Sequence, residues 1–247
     1  MKKFIRYLLV AVLVALIQIC GYEIWKISEQ YDQEAQLKAE LTRFRPEIPA
    51  PRNNRNDPGP VHDTPTEIIN QSIIDMQNEI NGDIIGWLTI PNTQIDYPVV
   101  IAADNDYYLR RNVHKKQAAA GSIFMDCRCS PDFTCFNSVI YGHSMKNDSM
   151  FGGLRLFADP VFFDSNVSGA LFIKDNTFEL KIFAYMVVTA DDKIIYNPSA
   201  DSADFFEYVK KNARKYRDPL ATGNILTLST CSYEYGGART VLIAALS

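Results

Sequence analysis

Histidine is almost absent from this chain: there are three in 247 residues, His62, His114 and His143. The clustered thiols Cys127, Cys129 and Cys135 have no histidine and no fourth thiol beside them, so a tetrahedral zinc site is not completed there. A dense carboxylate loop of the kind that holds calcium is also lacking, and neither metal nor cofactor is expected in the chemistry. Excess positive charge is missing too. The net charge is −4, and residues 1–27 hold four basic side chains and one acid; the rest is left with 21 basic and 28 acidic residues, a net −7. A nucleic-acid partner, which needs a basic footprint, is therefore not expected. There is no internal repeat, which excludes solenoid architectures.

Length and composition fit one globular domain with appendages. Lys2, Lys3 and Arg6 precede an uncharged run over 7–22. With Arg6 and Lys26 snorkelling, the apolar stretch reaches the roughly 20 residues that span a bilayer. The alternative is a cleaved signal peptide. However, no small-x-small site follows the run, and Ile17-Gln18-Ile19 before Cys20 lacks the small residues of a lipoprotein site. The basic flank would stay inside and the bulk of the chain outside, with Tyr22 and Trp25 at the outer interface. The expected organisation is a membrane anchor over 1–27, a stalk over 28–65 that starts helical and then carries six of the twelve prolines, and a folded domain over 66–247.

Within that domain, Thr64-Pro65-Thr66-Glu67 reads as a capping box leading a helix with Ile69, Ile73, Met76 and Ile80 on one face, ended by Gly82. Strands are expected at 84–90, 93–101, 121–126, 138–141, 170–173, 177–189, 225–231 and 239–246. Asp148 or Ser149 is expected to cap a short helix reaching Leu156. A further helix over 204–217 carries Phe205, Val209, Ala213 and Tyr216 on one face and Lys210, Lys211, Arg214, Lys215 and Arg217 on the other.

The chemistry concentrates in the last two dozen residues. Along 225–231 the chain alternates, Leu226 and Leu228 on one face, Thr227, Ser229 and Cys231 on the other. The run 239–246 is almost wholly apolar, as in a strand buried on both faces, and Gly236-Gly237 mark a turn between the two. A thiol thus ends one strand and Arg239 begins the next. A lone Cys in a strand is commonly core packing, but this one sits on a polar face. His143 ends the apolar strand 138–141 and precedes a polar turn, which also places it at a sheet rim. His114 lies among lysines, and His62 in the stalk.

Thr227-Leu228-Ser229-Thr230-Cys231 followed by Arg239 resembles the active-site signature of sortases, the cysteine transpeptidases of Gram-positive cell surfaces. Tyr141-Gly142-His143-Ser144-Met145 with Met150-Phe151 resembles the family's histidine motif. Gly86-Trp87-Leu88-Thr89-Ile90-Pro91, Asp96-Tyr97-Pro98-Val99 and the segment 105–109 match its opening pattern, and a helix before the last strands resembles class B members. The resemblance implies a mainly β fold, a closed barrel of about eight strands with an N-terminal helix and a helix before the catalytic strand. It implies catalytic roles for His143, Cys231 and Arg239, and substrate contacts at Asn105, Leu109, Tyr196, Ser229 and Thr230. It further implies cleavage of a C-terminal sorting signal, of Asn-Pro-x-Thr type in class B, on a secreted protein, and transfer to an amine of a lipid II-like peptidoglycan precursor at the outer face of the cytoplasmic membrane. Glu234 has no role assigned.

Two other readings stand beside it: a cysteine peptidase of surface peptides, and a membrane-tethered binding module without catalysis. Papain-type enzymes place Cys before His, with Cys opening a helix; here His143 comes first. A disulfide between Cys135 and one of Cys127 or Cys129, or three free thiols, both fit the loop. The anchor reading predicts that the mature protein keeps its N-terminus and that protease added to intact, wall-stripped cells removes residues 66–247. A mature N-terminus at or beyond Cys20 would mean a cleaved signal instead.

Overall fold

The computed structural model describes residues 2–47, 69–219, 223–231 and 236–247. The chain divides into two units, Met1–Arg43 and Phe44–Ser247. The first is helix α1, Lys2–Leu41, unbroken because its 40 residues contain no proline. Its most apolar 18-residue window has a mean hydropathy of 2.2 with its side chains exposed, so the helix is long and apolar enough to cross a membrane. The proline-rich stretch, His62 and the Thr64–Glu67 capping box lie outside the described residues.

The second unit opens with α2, Gln71–Glu79, which starts at Asn70 and buries Ile73 and Met76. Asn70 does not cap the helix with its side chain; its Nδ2 donates to the carbonyls of Ile173 and Asn176 instead, pinning the helix to the sheet. Strands β1 (Ile84–Thr89), β2 (Asp96–Val100), β3 (Ile123–Met125) and β4 (Asn137–Tyr141) follow. After them come α3 (Pro160–Ser165), β5 (Ser168–Ile173), β6 (Asn176–Thr189), α4 (Ser202–Asn212), β7 (Lys215–Tyr216), β8 (Ile225–Cys231) and β9 (Ala238–Leu246). The sheet runs β5-β1-β2-β3-β4-β8-β9-β6 and closes because β6 pairs back with β5. The result is the expected mainly β architecture, an eight-stranded closed barrel, with β7 a two-residue addition on β6. Among the described residues only β2–β3 and β4–β8 pair in parallel.

Strand periodicity sorts the core into two layers. Leu226 and Leu228 of β8 and Leu242, Ala244 and Leu246 of β9 fill the barrel. Ile225, Val241, Ile243 and Ala245 point outward, under Phe205 and Val209 of α4. This is why β9 is apolar on both faces.

Of the face expected on the first helix, Ile69 stands before Asn70, outside the helix and exposed; two further expected helices take other forms as well. The chain leaves α4 at Asn212 rather than Arg217. β5 covers β6 only up to Lys181, which exposes the carbonyls of Phe183 and Tyr185 at a sheet edge; Arg217 N and Arg214 N donate to them, at 2.9 Å each, and Lys215-Tyr216 become β7. The basic stripe is thereby split: only Lys210 and Lys211 stay on the helix, in its last turn, where the dipole favours them. The expected cap at Asp148 or Ser149 is replaced by a tight return. Asp148 and Met150 adopt positive φ, 64° and 53°, Ser144 bridges Met150, and a 3-10 turn over Gly152–Ala158 leads into α3, which Asp159 caps.

One buried polar residue ties the long connection from β6 to α4 onto the barrel. Asn137 Nδ2 donates to the carbonyls of Ile195 (2.8 Å) and Asn197 (3.2 Å), and its Oδ1 accepts from Thr227 Oγ1 (2.7 Å). Asn137→Ala leaves these buried groups unpaired and is expected to cost about 1–3 kcal/mol, read as a lowered urea midpoint at unchanged m-value.

Candidate functional site

Register brings the three motif-bearing residues together. On the parallel pair β4–β8, Tyr141 lies opposite Ser229, and Gly142 N donates to the Ser229 carbonyl at 3.2 Å. Two residues further along both strands stand His143 and Cys231. On the antiparallel pair β8–β9, Cys231 lies opposite Arg239. The backbones of His143, just past β4, of Cys231 at the end of β8 and of Arg239 near the start of β9 are therefore carried to one rim, in that order. Cys231 is placed by its backbone. Glu234 lies outside the described residues.

His143 is half-buried, and its Nε2 is 2.7 Å from the carbonyl of Leu109. A carbonyl only accepts, so Nε2 carries a proton and Nδ1 is the nitrogen left to take or give one. Leu109 sits in a 3-10 turn over Tyr107–Arg110. Beneath it passes Gly121, with φ +60°; a Cβ there would lie 2.5 Å from the Leu109 carbonyl oxygen and 2.8 Å from that of Tyr108. Only glycine allows so close an approach in that conformation. Half-buried Arg239 donates from Nη1 to the Ala238 carbonyl at 3.0 Å, and Ala190 N donates to the Gly237 carbonyl, clamping the start of β9 to the end of β6.

These groups border a cleft of about 210 Å³. Asn105, Leu109, Tyr196, Ser229 and Thr230 all line it, together with His143 and Arg239. Tyr196 reaches it from the connection before α4, its hydroxyl 2.8 Å from Ser229 Oγ. The helix α4 contributes no residue among those described as lining the cleft. Its Tyr208 OH donates at 2.6 Å to Asp192 Oδ2, on the connection that carries Tyr196. Phe124, Tyr141 and Ala190 also border the cleft and have no signal of their own in the sequence, apart from Tyr141 preceding Gly142-His143.

The other thiols are built differently. Cys127, Cys129 and Cys135 are free. Burial pushes the Cys129 thiol up to about 12, and its Sγ is engaged by the Asn137 carbonyl and Val139 N, so it is an inert core group. Among the described residues no cluster of His, Cys, Asp or Glu could hold a metal ion.

The family model for the sortase domain matches residues 88–247. The chain belongs to the sortase family. Sortase B of Listeria monocytogenes is 37% identical over 171 residues, 67% of this chain and 69% of the relative. Sortase B of Staphylococcus aureus is 26% identical over 253 residues, covering 100% of this chain and 98% of the relative. Among solved structures, sortase B from B. anthracis superposes with a TM-score of 0.71 at 30% identity, over 88% of this chain and 98% of that one. The Staphylococcus aureus sortase B–substrate complex gives 0.66 at 26% identity, over 72% and 86%. The protein is thus a sortase of the class B type, in a family of cysteine transpeptidases.

The Gly121 contact carries a prediction. In Gly121→Ala the new methyl group displaces the Leu109 carbonyl, at a stability cost of about 1–3 kcal/mol, and loosens the hold on His143. A broadened His143 imidazole resonance by NMR, beside an unperturbed His114 resonance, is the expected result.

Proposed function

We propose that this sortase is a membrane-anchored extracellular enzyme that cleaves a C-terminal sorting signal of Asn-Pro-x-Thr type after the Thr and joins the new carboxyl end, through a thioester on Cys231, to an amine of a peptidoglycan precursor. The observation that carries the reading is the convergence of Cys231, His143 and Arg239 on one rim of a cleft bordered by Asn105, Leu109, Tyr196, Ser229 and Thr230. The anchor rests on the apolar helix α1 and the basic residues that precede its uncharged stretch.

The thiol of Cys231 gives its proton to His143, and the thiolate attacks the Thr carbonyl. Arg239 stabilises the oxyanion of the tetrahedral intermediate. The C–N bond breaks, the departing amine takes the proton from His143, and the acyl group stays on sulfur as a thioester. The acceptor amine then attacks the thioester carbonyl and passes its proton to His143. Sulfur leaves as thiolate, and a new peptide bond replaces the old one. The parallel register carries the backbones of His143, just past the end of β4, and Cys231 towards the same rim, which supports a direct proton exchange. Hydrolysis by the same site is the second reading, with water in the place of the amine; the tie of His143 to Leu109 serves either nucleophile equally.

Removal of the nucleophile in Cys231→Ala is expected to abolish turnover, His143→Ala to lower it about 10²–10⁴-fold, and Arg239→Ala about 10²–10³-fold. Arg239→Lys keeps the charge but not the planar fork, and is expected to be badly impaired as well. Incubation with an Asn-Pro-x-Thr peptide and an amine acceptor, followed by mass spectrometry, distinguishes amide product from free acid. Tryptic mapping locates the thioester. Acyl label on Cys127, Cys129 or Cys135, or turnover in Cys231→Ala, would overturn the assignment, and near-normal function in Cys231→Ala would favour a binding module.

A further inference from the structure

Three walls of the cleft are tied to one tripeptide that none of the motifs includes. Asp126 follows β3 and is completely buried. Its Oδ1 accepts from the backbone N and the Nε of Arg128, at 3.0 and 2.9 Å. Its Oδ2 accepts from Arg128 Nη2 at 2.7 Å and from the Tyr141 hydroxyl at 2.9 Å. The same Nη2 donates onward to the Tyr196 carbonyl at 2.8 Å. Between them, Cys127 N donates to Asn105 Oδ1 at 2.8 Å. Asp126-Cys127-Arg128 thus hold Asn105, Tyr141 and Tyr196, which come from three separate parts of the chain and all border the cleft.

Packing does not hold these walls by itself. A second cavity of about 370 Å³ adjoins the cleft, with Asn105, Tyr141 and Tyr196 lining both and Asp126 and Arg128 lining only the second. The two tyrosine rings are tilted against each other at 6.1 Å, and both residues border that second cavity. Burial works to raise the Asp126 carboxyl, but the hydrogen bonds from Arg128 and Tyr141 outweigh it and keep the group below the ordinary carboxylate range. The anchor point is therefore charged and fully satisfied, which makes its hydrogen bonds strong and directional. His143 has a separate tether, to Leu109.

We propose that Asp126, acting with Arg128, is a positioning residue that sets this sortase's affinity for its peptide by holding Tyr141 and Tyr196 at a fixed spacing along the cleft, beside Asn105, which the Cys127 backbone holds. The inference rests on the proposed function, since the peptide is the sorting signal. Asp126 touches no reacting atom, so its loss weakens binding of ground state and transition state alike and appears in KM rather than kcat.

The test is steady-state kinetics of the full-length enzyme in detergent with an Asn-Pro-x-Thr peptide, comparing wild type, Asp126→Asn and Arg128→Lys. Cys231 labelling by a small methanethiosulfonate reagent, mapped by mass spectrometry, and Tm are measured in parallel. In Asp126→Asn, KM is expected to rise on the order of tenfold or more, with kcat, its pH profile and the Cys231 labelling rate within about threefold of wild type. Arg128→Lys replaces a side chain that is 55% exposed and leaves the Asp126 charge neutralised, so it carries the test even if Asp126→Asn does not fold. Its ammonium cannot fork to both carboxylate oxygens and reach the Tyr196 carbonyl, and a smaller rise in KM is expected. Unchanged KM in folded variants, or parallel losses in kcat, labelling rate and Tm, would overturn the proposal. Wild-type turnover alone measures the proposed reaction, so an active wild type beside unchanged variants overturns the positioning role and leaves the reaction standing.

Discussion

Parallel pairing of β4 with β8, inside a barrel that is otherwise mostly antiparallel, is the constraint on which the site depends. Parallel strands carry residues forward together, so two positions beyond the Tyr141–Ser229 pair both chains arrive at the same rim, one with an imidazole and the other with a thiol. The antiparallel return of β9 then sets Arg239 against Cys231. A slip of one residue in either register would turn Leu226 and Leu228 out of the barrel and Thr227 and Ser229 into it. The apolar alternation that fills the core and the placement of the chemistry are thus enforced by the same pairing.

Around that register the protein uses buried polar groups where the apolar core offers no hold. The connection from β6 to α4 has no strand partner of its own; Asn137 and Thr227 provide its anchorage from inside the sheet. That connection carries Tyr196, whose hydroxyl meets Ser229 and whose carbonyl meets Arg128. The Leu109 carbonyl does for His143 what a carboxylate does in other cysteine and serine enzymes: it chooses the protonated nitrogen.

Cys129 and the proposed nucleophile Cys231 stand in different settings. Cys129 is held in the core with its thiol raised by desolvation and its sulfur occupied by backbone groups, whereas the backbone puts Cys231 at a strand end on the rim. The contrast supports Cys231 rather than Cys129 as the proposed nucleophile.

Much of this was legible in the amino-acid sequence because it rests on local patterns. Strand alternation along 225–231, the doubly apolar run after Arg239, the long apolar N-terminus and the spaced Thr-Leu-Ser-Thr-Cys and Tyr-Gly-His segments depend only on neighbours a few residues apart, and β8, β9, α1 and β4 form where those patterns fall. The end of α4 was not legible: its periodicity continues to Tyr216, but the unpaired carbonyls of Phe183 and Tyr185, some thirty residues earlier, capture the backbone instead. Nor was the return at Asp148 and Met150, where left-handed backbone at non-glycine residues is held by the Ser144–Met150 bridge. By itself the sequence determined a mainly β domain behind an apolar helix, with one thiol, one imidazole and one guanidinium at strand ends. Only the tertiary structure decided that Leu109 orients His143, that α4 stands back from the cleft, and that Asp126 and Arg128 hold its walls. Those hydrogen bonds join residues up to 68 positions apart, and no local periodicity encodes a contact between segments that meet only when the barrel closes.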